Sequence, residues 1–478
     1  MPAAHRILPA ALLLLASAAL AQPLDLAIVG GRLIDPESGL DAIRNVGIRA
    51  GKVAVISPNP LAAKRTLEAK GLIVAPGFID LHWHGKDTSS DSYEAMDGVT
   101  ASFELEIGTA DIDAWSRSRE GKSLIHHGAA AGHPPIRMKV LNDPGEFLPS
   151  GPAANREASP EEVTLIKQRL EAELRKGAVA VGLGVAYTKG ASAFEIVDIF
   201  RIAARFGASV HTHIRFASSV AAGSQRQLGL LEVIAAAAAT GASLQVVHVN
   251  SSGQQDTGEF LRIIGEARSR GMDVTTEAYP YTAGATRIET AIFDGAEQRE
   301  DSFFPQLQWM ATGERLTRDT FRKYRKQGGS VILHTNTEER VRLAVTSPLT
   351  MIASDGFDVR EQGHPRSAGT YSKILGRYVR EGKLLAWNDA IRKMSLMPAQ
   401  RLEKRVPAMR AKGRIRVGAD ADIAVFDPES VIDRATYEKP MQYSEGMRWV
   451  LVEGTPVVDG GKPVPGVYPG RIVRAPQR

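Results

Sequence analysis

A TIM-like (β/α)8 barrel joined to a small β-sandwich built from both chain ends is the α/β architecture this sequence predicts, and three observations carry it. Short apolar runs alternate with amphipathic stretches across residues 73–405, the pattern of a parallel sheet with crossover helices. The flanks, 22–72 and 406–478, read instead as short strands broken by Gly, Pro and Asp. Finally, 478 residues exceed the usual reach of one hydrophobic core, which suits a barrel with a satellite domain.

In chain order, residues 1–21 start with His5 and Arg6, run apolar from Ile7 to Leu20 and close on Ala19-Leu20-Ala21. That is the pattern of a secretory signal peptide cleaved before Gln22, and it predicts a secreted or periplasmic protein. The run falls short of the roughly 20 apolar residues of a membrane span, so no membrane anchor is expected. The segments LDLAIVGGRLID (24–35) and NVGIRAGKVAVI (45–56) give strands of the N-terminal part of the sandwich. GRIRVGADADIAVF (413–426) and RWVLVEGTPVV (448–458) give its C-terminal part. Pairing the two ends makes the middle an inserted domain.

Candidate barrel strands end near His82, Glu106, His127, Tyr187, His213, His248, Tyr281 and Asp355. Eight of them suit a closed barrel better than an open sheet. The stretch from about 285 to 348 is too long for a βα connection and predicts an inserted subdomain or lid.

Apolar residues make up 43% and charged residues 24% of the chain, with no single-sign tract, which excludes a disordered protein. The formal charge of +5 becomes +4 once Arg6 leaves with the signal peptide. So mild an excess, with no basic run, speaks for a small anionic substrate and against nucleic acid. There is no cysteine, so disulfides and thiolate chemistry are excluded, and a metal must be held by His, Asp, Glu or a modified Lys.

His82 and His84 stand two apart at a strand exit, so both imidazoles can face one metal. His213, His248 and Asp355 end other candidate strands, and a barrel brings those ends to one mouth, with the aspartate placed to act as general base. His126, His127 and His133, around the third strand, read as structural.

In their order, APGFIDLHWH (75–84), GLGVAYTKG (182–190), HTHIR (211–215), HVNSSG (248–253), EAYPYTAG (277–284), MIASDG (351–356), HPRSAGT (364–370) and GRIRVGADADIAVFDP (413–428) span most of the mature chain. With these motifs the chain resembles the amidohydrolase superfamily, in its N-acyl-D-amino-acid deacylase (D-aminoacylase-like) branch. The resemblance implies one or two Zn2+ ions held by His82, His84, His213, His248 and Asp355, with Asp355 also handling protons. It implies that Arg366 faces a substrate carboxylate and that Tyr281 and Tyr187 lie near the substrate, while His364 fixes the loop presenting Arg366.

One departure stands out: D-aminoacylases commonly place a cysteine after the second strand, where this chain reads Phe103-Glu104-Leu105-Glu106. The two glutamates share a strand face, and Glu106, nearer the strand end, is the expected further ligand; a carboxylated Lys189 is the weaker choice. The expected reaction is hydrolysis of an N-acyl-D-amino acid, the D preference coming from the resemblance alone. Alternatives are another amide (a dipeptide, a cyclic imide or an N-acylated amine), a two-carboxylate glycosidase using Glu104, Glu106, Glu277 or Asp355, and an exported binding protein.

Overall fold

The computed structural model describes residues 23–217, 225–357 and 363–477, and the signal-peptide expectation for residues 1–21 lies outside them. Its centre is an eight-stranded parallel sheet whose strands neighbour one another in chain order. They are β1 (Phe78–Asp80), β2 (Val99–Thr109), β3 (His126–Gly132), β4 (Val181–Gly184), β5 (Ser209–His213), β6 (Ser243–Val246), β7 (Val274–Ala278) and β8 (Thr350–Ile352). Closure falls beyond the ends of β1 and β8, where Trp83–His84 pairs in parallel with Gly356–Phe357. Asp80 pins this seam by accepting the backbone N–H groups of His82 at 2.9 Å and Ser354 at 3.2 Å.

Local sequence explains the crossover helices. In Ala193–Phe206, Ser192 caps the first turn by accepting from the Glu195 N–H, and Gly207 ends the helix in a left-handed conformation. Between these stops, Ile196, Ile199, Phe200 and Ala203 recur at helical spacing and are buried. Burying each large side chain contributes about 1.5–3 kcal/mol.

Several strands differ from expectation: β4 stops at Gly184 and β8 at Ile352, short of Tyr187 and Asp355, and β2 runs on past Glu106 to Thr109. The third begins rather than ends at the His126-His127 pair and runs through Gly128–Gly132, because a run of Ala and Gly carries almost no β-propensity signal in the sequence. The seventh ends at Ala278, three residues before Tyr281. Between β7 and β8 the chain forms a three-stranded antiparallel sheet from Gly284–Arg287, Leu307–Trp309 and Ser330–Leu333. Its aromatic cluster, including Phe293, Phe304 and Phe321, also takes in Ile107, Leu148 and Tyr187. Those contacts seat the insertion over the C-terminal ends of the barrel strands.

Both chain ends share a nine-stranded sheet in which Ile73–Pro76 lies between Leu24–Asp35 and Ile423–Phe426. Beyond Pro463 the chain crosses to the barrel, where Val473 donates to the His127 carbonyl at 2.7 Å. A buried ionic cluster joins the two parts: Lys412 Nζ lies 2.6 Å from Asp422 and 3.0 Å from Asp420, and Asp422 lies 3.3 Å from His126 Nε2. Burial pushes the Asp422 carboxyl up, but the Lys412 charge beside it wins and holds it far below the usual carboxylate range. Asp422→Asn is expected to cost about 3 kcal/mol, since it strips a buried lysine of one carboxylate. Because the folded-state pKa is depressed, this stabilisation is present above about pH 4 and fades as pH falls below it. Urea unfolding of both proteins at pH 7 and pH 3 checks this: a gap at pH 7 that persists unchanged at pH 3 would refute it.

Candidate metal centre

The sequence places its polar groups where the barrel converges. Past β1, Trp83 is buried on one side while His82 and His84 turn to the other, their Nε2 atoms 3.0 Å apart. Their Nδ1 atoms face carboxylates: His82 lies 2.5 Å from Glu277 of β7, and His84 lies 2.8 Å from Glu104 of β2. Glu106, two residues along β2, sits at the centre. Its Oε2 is 3.4 Å from His82 Nε2 and 3.3 Å from His84 Nε2. Its Oε1 is 2.6 Å from His213 Nδ1 and 3.2 Å from His248 Nε2. Asp355 completes the ring, with Oδ1 3.4 Å and 3.5 Å from the His82 and His84 Nε2 atoms and Oδ2 2.7 Å from Arg366 Nη1. His248 and Asp355 both take left-handed backbone conformations, at φ 33° and 51°. Such strain on a non-glycine residue collects at functional sites.

The donor chemistry fits a metal. An ionised carboxylate only accepts, so Glu277 and Glu104 fix the proton of each imidazole on Nδ1. The two Nε2 atoms then present lone pairs to each other, beside Glu106 Oε2 and Asp355 Oδ1: four acceptors with no donor between them. Protonating both rings does not help, because two N–H groups would then collide at the same 3.0 Å. A shared cation satisfies all four. Burial opposes a charge on His82, but Asp355, Glu106 and Glu277 outweigh it and raise its pKa to about 10, a measure of the cation-attracting field. Burial likewise raises the Glu106 carboxyl, yet the imidazoles of His213 and His82 bring it well below the usual range. Among the described residues, three three-residue groups close enough to hold an ion fall here: His82 with His84 and Glu106, Glu106 with His213 and His248, and His82 with His248 and Asp355. Glu106 belongs to two of them, one carboxylate oxygen per histidine pair.

A cavity of about 330 Å³ opens onto these donors. Tyr187, Tyr279 and Arg366 line it together with Ile292 and Leu333 of the insertion. The Tyr187 hydroxyl lies 3.2 Å from Thr286 Oγ1, and its ring meets His213 edge-on at 5.0 Å. Burial pushes that phenol well above its ordinary pKa, so it stays a donor at neutral pH. Arg366 is buried over the Tyr279 ring, and His364 secures its loop by accepting the Arg366 backbone N–H at 3.1 Å and bonding the Ala283 carbonyl at 3.0 Å.

One substrate-side expectation is corrected. Tyr281 does not line the cavity: its hydroxyl donates to Asp433 at 3.4 Å, and Tyr279 takes the cavity wall instead. The reason is that β7 has already ended, so the alternation that would have aimed Tyr281 no longer holds. Lys189 bonds the Ala291 carbonyl and lies 3.6 Å from Asp294, both in the insertion, away from the metal donors. His126, His127 and His133 are buried against Asp422, Asp91 and Glu195. Residues that sequence reasoning missed are Glu104 and Glu277 as partners of His84 and His82. The i, i+2 spacing of Glu104 and Glu106 was the one local trace of Glu104, and Glu277 left none.

The model of the amidohydrolase family matches residues 134–458. An N-acyl-D-glutamate deacylase of Alcaligenes xylosoxydans xylosoxydans is 31% identical, covering 95% of this chain and 97% of its own. A D-aminoacylase of the same organism is 27% identical over 91% and 95% of the two chains. Among solved structures, the N-acyl-D-glutamate deacylase of Bordetella bronchiseptica superposes with a TM-score of 0.81 at 26% identity, over 95% of this chain and 100% of its own. That structure is complexed with zinc and a phosphonate inhibitor that mimics the tetrahedral intermediate of the reaction.

Proposed function

Because the chain belongs to the amidohydrolase family, we propose that it is a zinc-dependent deacylase that hydrolyses the linear amide of an N-acyl-D-amino acid to a carboxylate and the free D-amino acid. The observation that carries this reading is the convergence of four imidazoles on Glu106 and Asp355 at the floor of a cavity the size of a small molecule. The choice of zinc, and of a D-amino acid, is supported by the relatives rather than by the site's shape.

His82, His84, Glu106, His213, His248 and Asp355 would hold the metal. When bound, zinc supplies Lewis acidity that polarises an amide carbonyl and makes water acidic enough to attack near neutral pH. Asp355 accepts the proton of the attacking water and returns it to the departing amine nitrogen, base then acid. Arg366, 2.7 Å from Asp355 Oδ2, aims that carboxylate, and its guanidinium still presents N–H groups to an anionic substrate in the cavity. Tyr187, which also lines the cavity, offers its hydroxyl there. The glycosidase alternative is disfavoured, because Glu104, Glu106 and Glu277 are all engaged by histidines.

The test is zinc content of purified protein together with amine release from matched N-acetyl-D- and N-acetyl-L-amino acids, before and after chelation. Bound zinc with D-selective, chelator-sensitive release is expected. Zinc without release would move the search to other amides, and release untouched by chelation would sink the metal mechanism. The apolar N-terminal run supports a reading of export, and a mature N-terminus at Gln22 in the periplasmic or culture fraction is its check.

A further inference from the structure

The Glu277 carboxylate has a second oxygen, and what it touches leads through the barrel interior to the far end. Gln245 of β6 is fully buried and donates its amide N–H to Glu277 Oε2 at 2.7 Å. The Gln245 carbonyl oxygen accepts the hydroxyl of Thr275, its neighbour in register on β7. Thr275 Oγ1 in turn accepts from Arg401 Nη1 at 3.1 Å. Arg401, whose side chain is 4% exposed, is anchored by Asp273 through two bonds of 2.7 Å and 3.0 Å.

These bonds can run in one direction only. A guanidinium can only donate, so Thr275 must accept from Arg401 and spend its own hydrogen on Gln245. Gln245 is thereby held with its oxygen toward Thr275 and its NH2 toward Glu277; the flipped amide would set an oxygen against a carboxylate. Glu277, held at Oε2, keeps Oε1 for His82, whose Nδ1 lies 2.5 Å away. His82 must therefore carry its proton on Nδ1 and present the Nε2 lone pair to the metal.

We propose that Gln245, Thr275 and Arg401 are positioning residues that fix the tautomer and aim of the metal ligand His82 through Glu277. The chain starts at the N-terminal ends of the strands, opposite the cavity, so it sets metal affinity without touching substrate. The proposal rests on the metal reading of the site but not on the substrate.

The experiment compares Gln245→Met, Thr275→Val and Thr275→Ser by competition for zinc with a chromogenic chelator, alongside thermal unfolding of the metal-free proteins. Losing the group bonded directly to a ligand histidine, here Glu277, changes metal affinity by about 10–100-fold, and residues acting through it set the lower end of that range. Gln245→Met and Thr275→Val are expected to bind zinc about 10-fold more weakly, and Thr275→Ser, which keeps the hydroxyl, to bind as wild type does. Metal-free melting temperatures of the threonine variants should match. If Gln245→Met does not fold, the Val and Ser pair decides. Unchanged zinc affinity in Thr275→Val, or equal loss in Val and Ser, overturns the proposal while leaving the deacylase reading intact. A wild-type protein that takes up no zinc overturns both.

Discussion

Asp355→Asn is expected to lower turnover of an N-acyl-D-amino acid by about 10²–10⁴-fold, the range a positioned general base contributes, while the protein stays folded and keeps most of its metal. The amide has the carboxylate's shape, and its oxygen can still face His82 and His84, which lie 3.4 Å and 3.5 Å from Asp355 Oδ1. It cannot take a proton from water. The cost to the fold is set by Arg366, which is buried and loses an ionised partner at 2.7 Å. A hydrogen bond between charged groups is worth about 1.5–3 kcal/mol, so a fall of that order in unfolding free energy should accompany the lost activity. Single-turnover kinetics, zinc analysis and urea unfolding measure the three quantities separately. Activity within a few-fold of wild type would remove Asp355 from proton transfer. Lost activity with equally lost zinc would make it a ligand only.

Much of this arrangement was legible because barrels convert sequence position into place. A residue at the C-terminal end of a β-strand reaches the common mouth whichever strand bears it. His82, His84, Glu106, His213, His248 and Asp355, scattered over nearly the whole barrel, are therefore brought together as their spacing implied. What stayed hidden depended on side-chain direction past a strand's end. Tyr281 and Tyr279 are indistinguishable in the motif EAYPY, and only the turn after Ala278 decides which faces the cavity. The third strand was misplaced because its Ala and Gly residues have neither branched side chains nor alternation to mark them. The pairing of Glu277 with His82 joins residues 195 apart in sequence, and no local pattern encodes it.

The two β2 glutamates offer the second large effect, because they are alike in sequence and unlike in place. Glu106 turns one oxygen to His82 and His84 and the other to His213 and His248, so one carboxylate serves both histidine pairs. The Glu104 carboxylate instead bonds the outer nitrogen of His84 and the backbone N–H groups of Ile107 and Gly108. Glu106→Gln removes the negative charge at the centre of four imidazoles, and zinc binding should fall by more than about 100-fold, beyond what a partner outside the ligand set costs. Glu104→Gln keeps every ligand and should cost about 10-fold, within the range for residues that orient a ligand histidine. Zinc stoichiometry and competition with a chelator separate the two. If two ions bind, Glu106→Gln should weaken both together, whereas removing a ligand of one pair, as in His248→Ala, should weaken one first. A larger loss in Glu104→Gln than in Glu106→Gln would mean that the metal sits outside the ring of donors, on the His84 side, and that Glu106 is only its counter-charge.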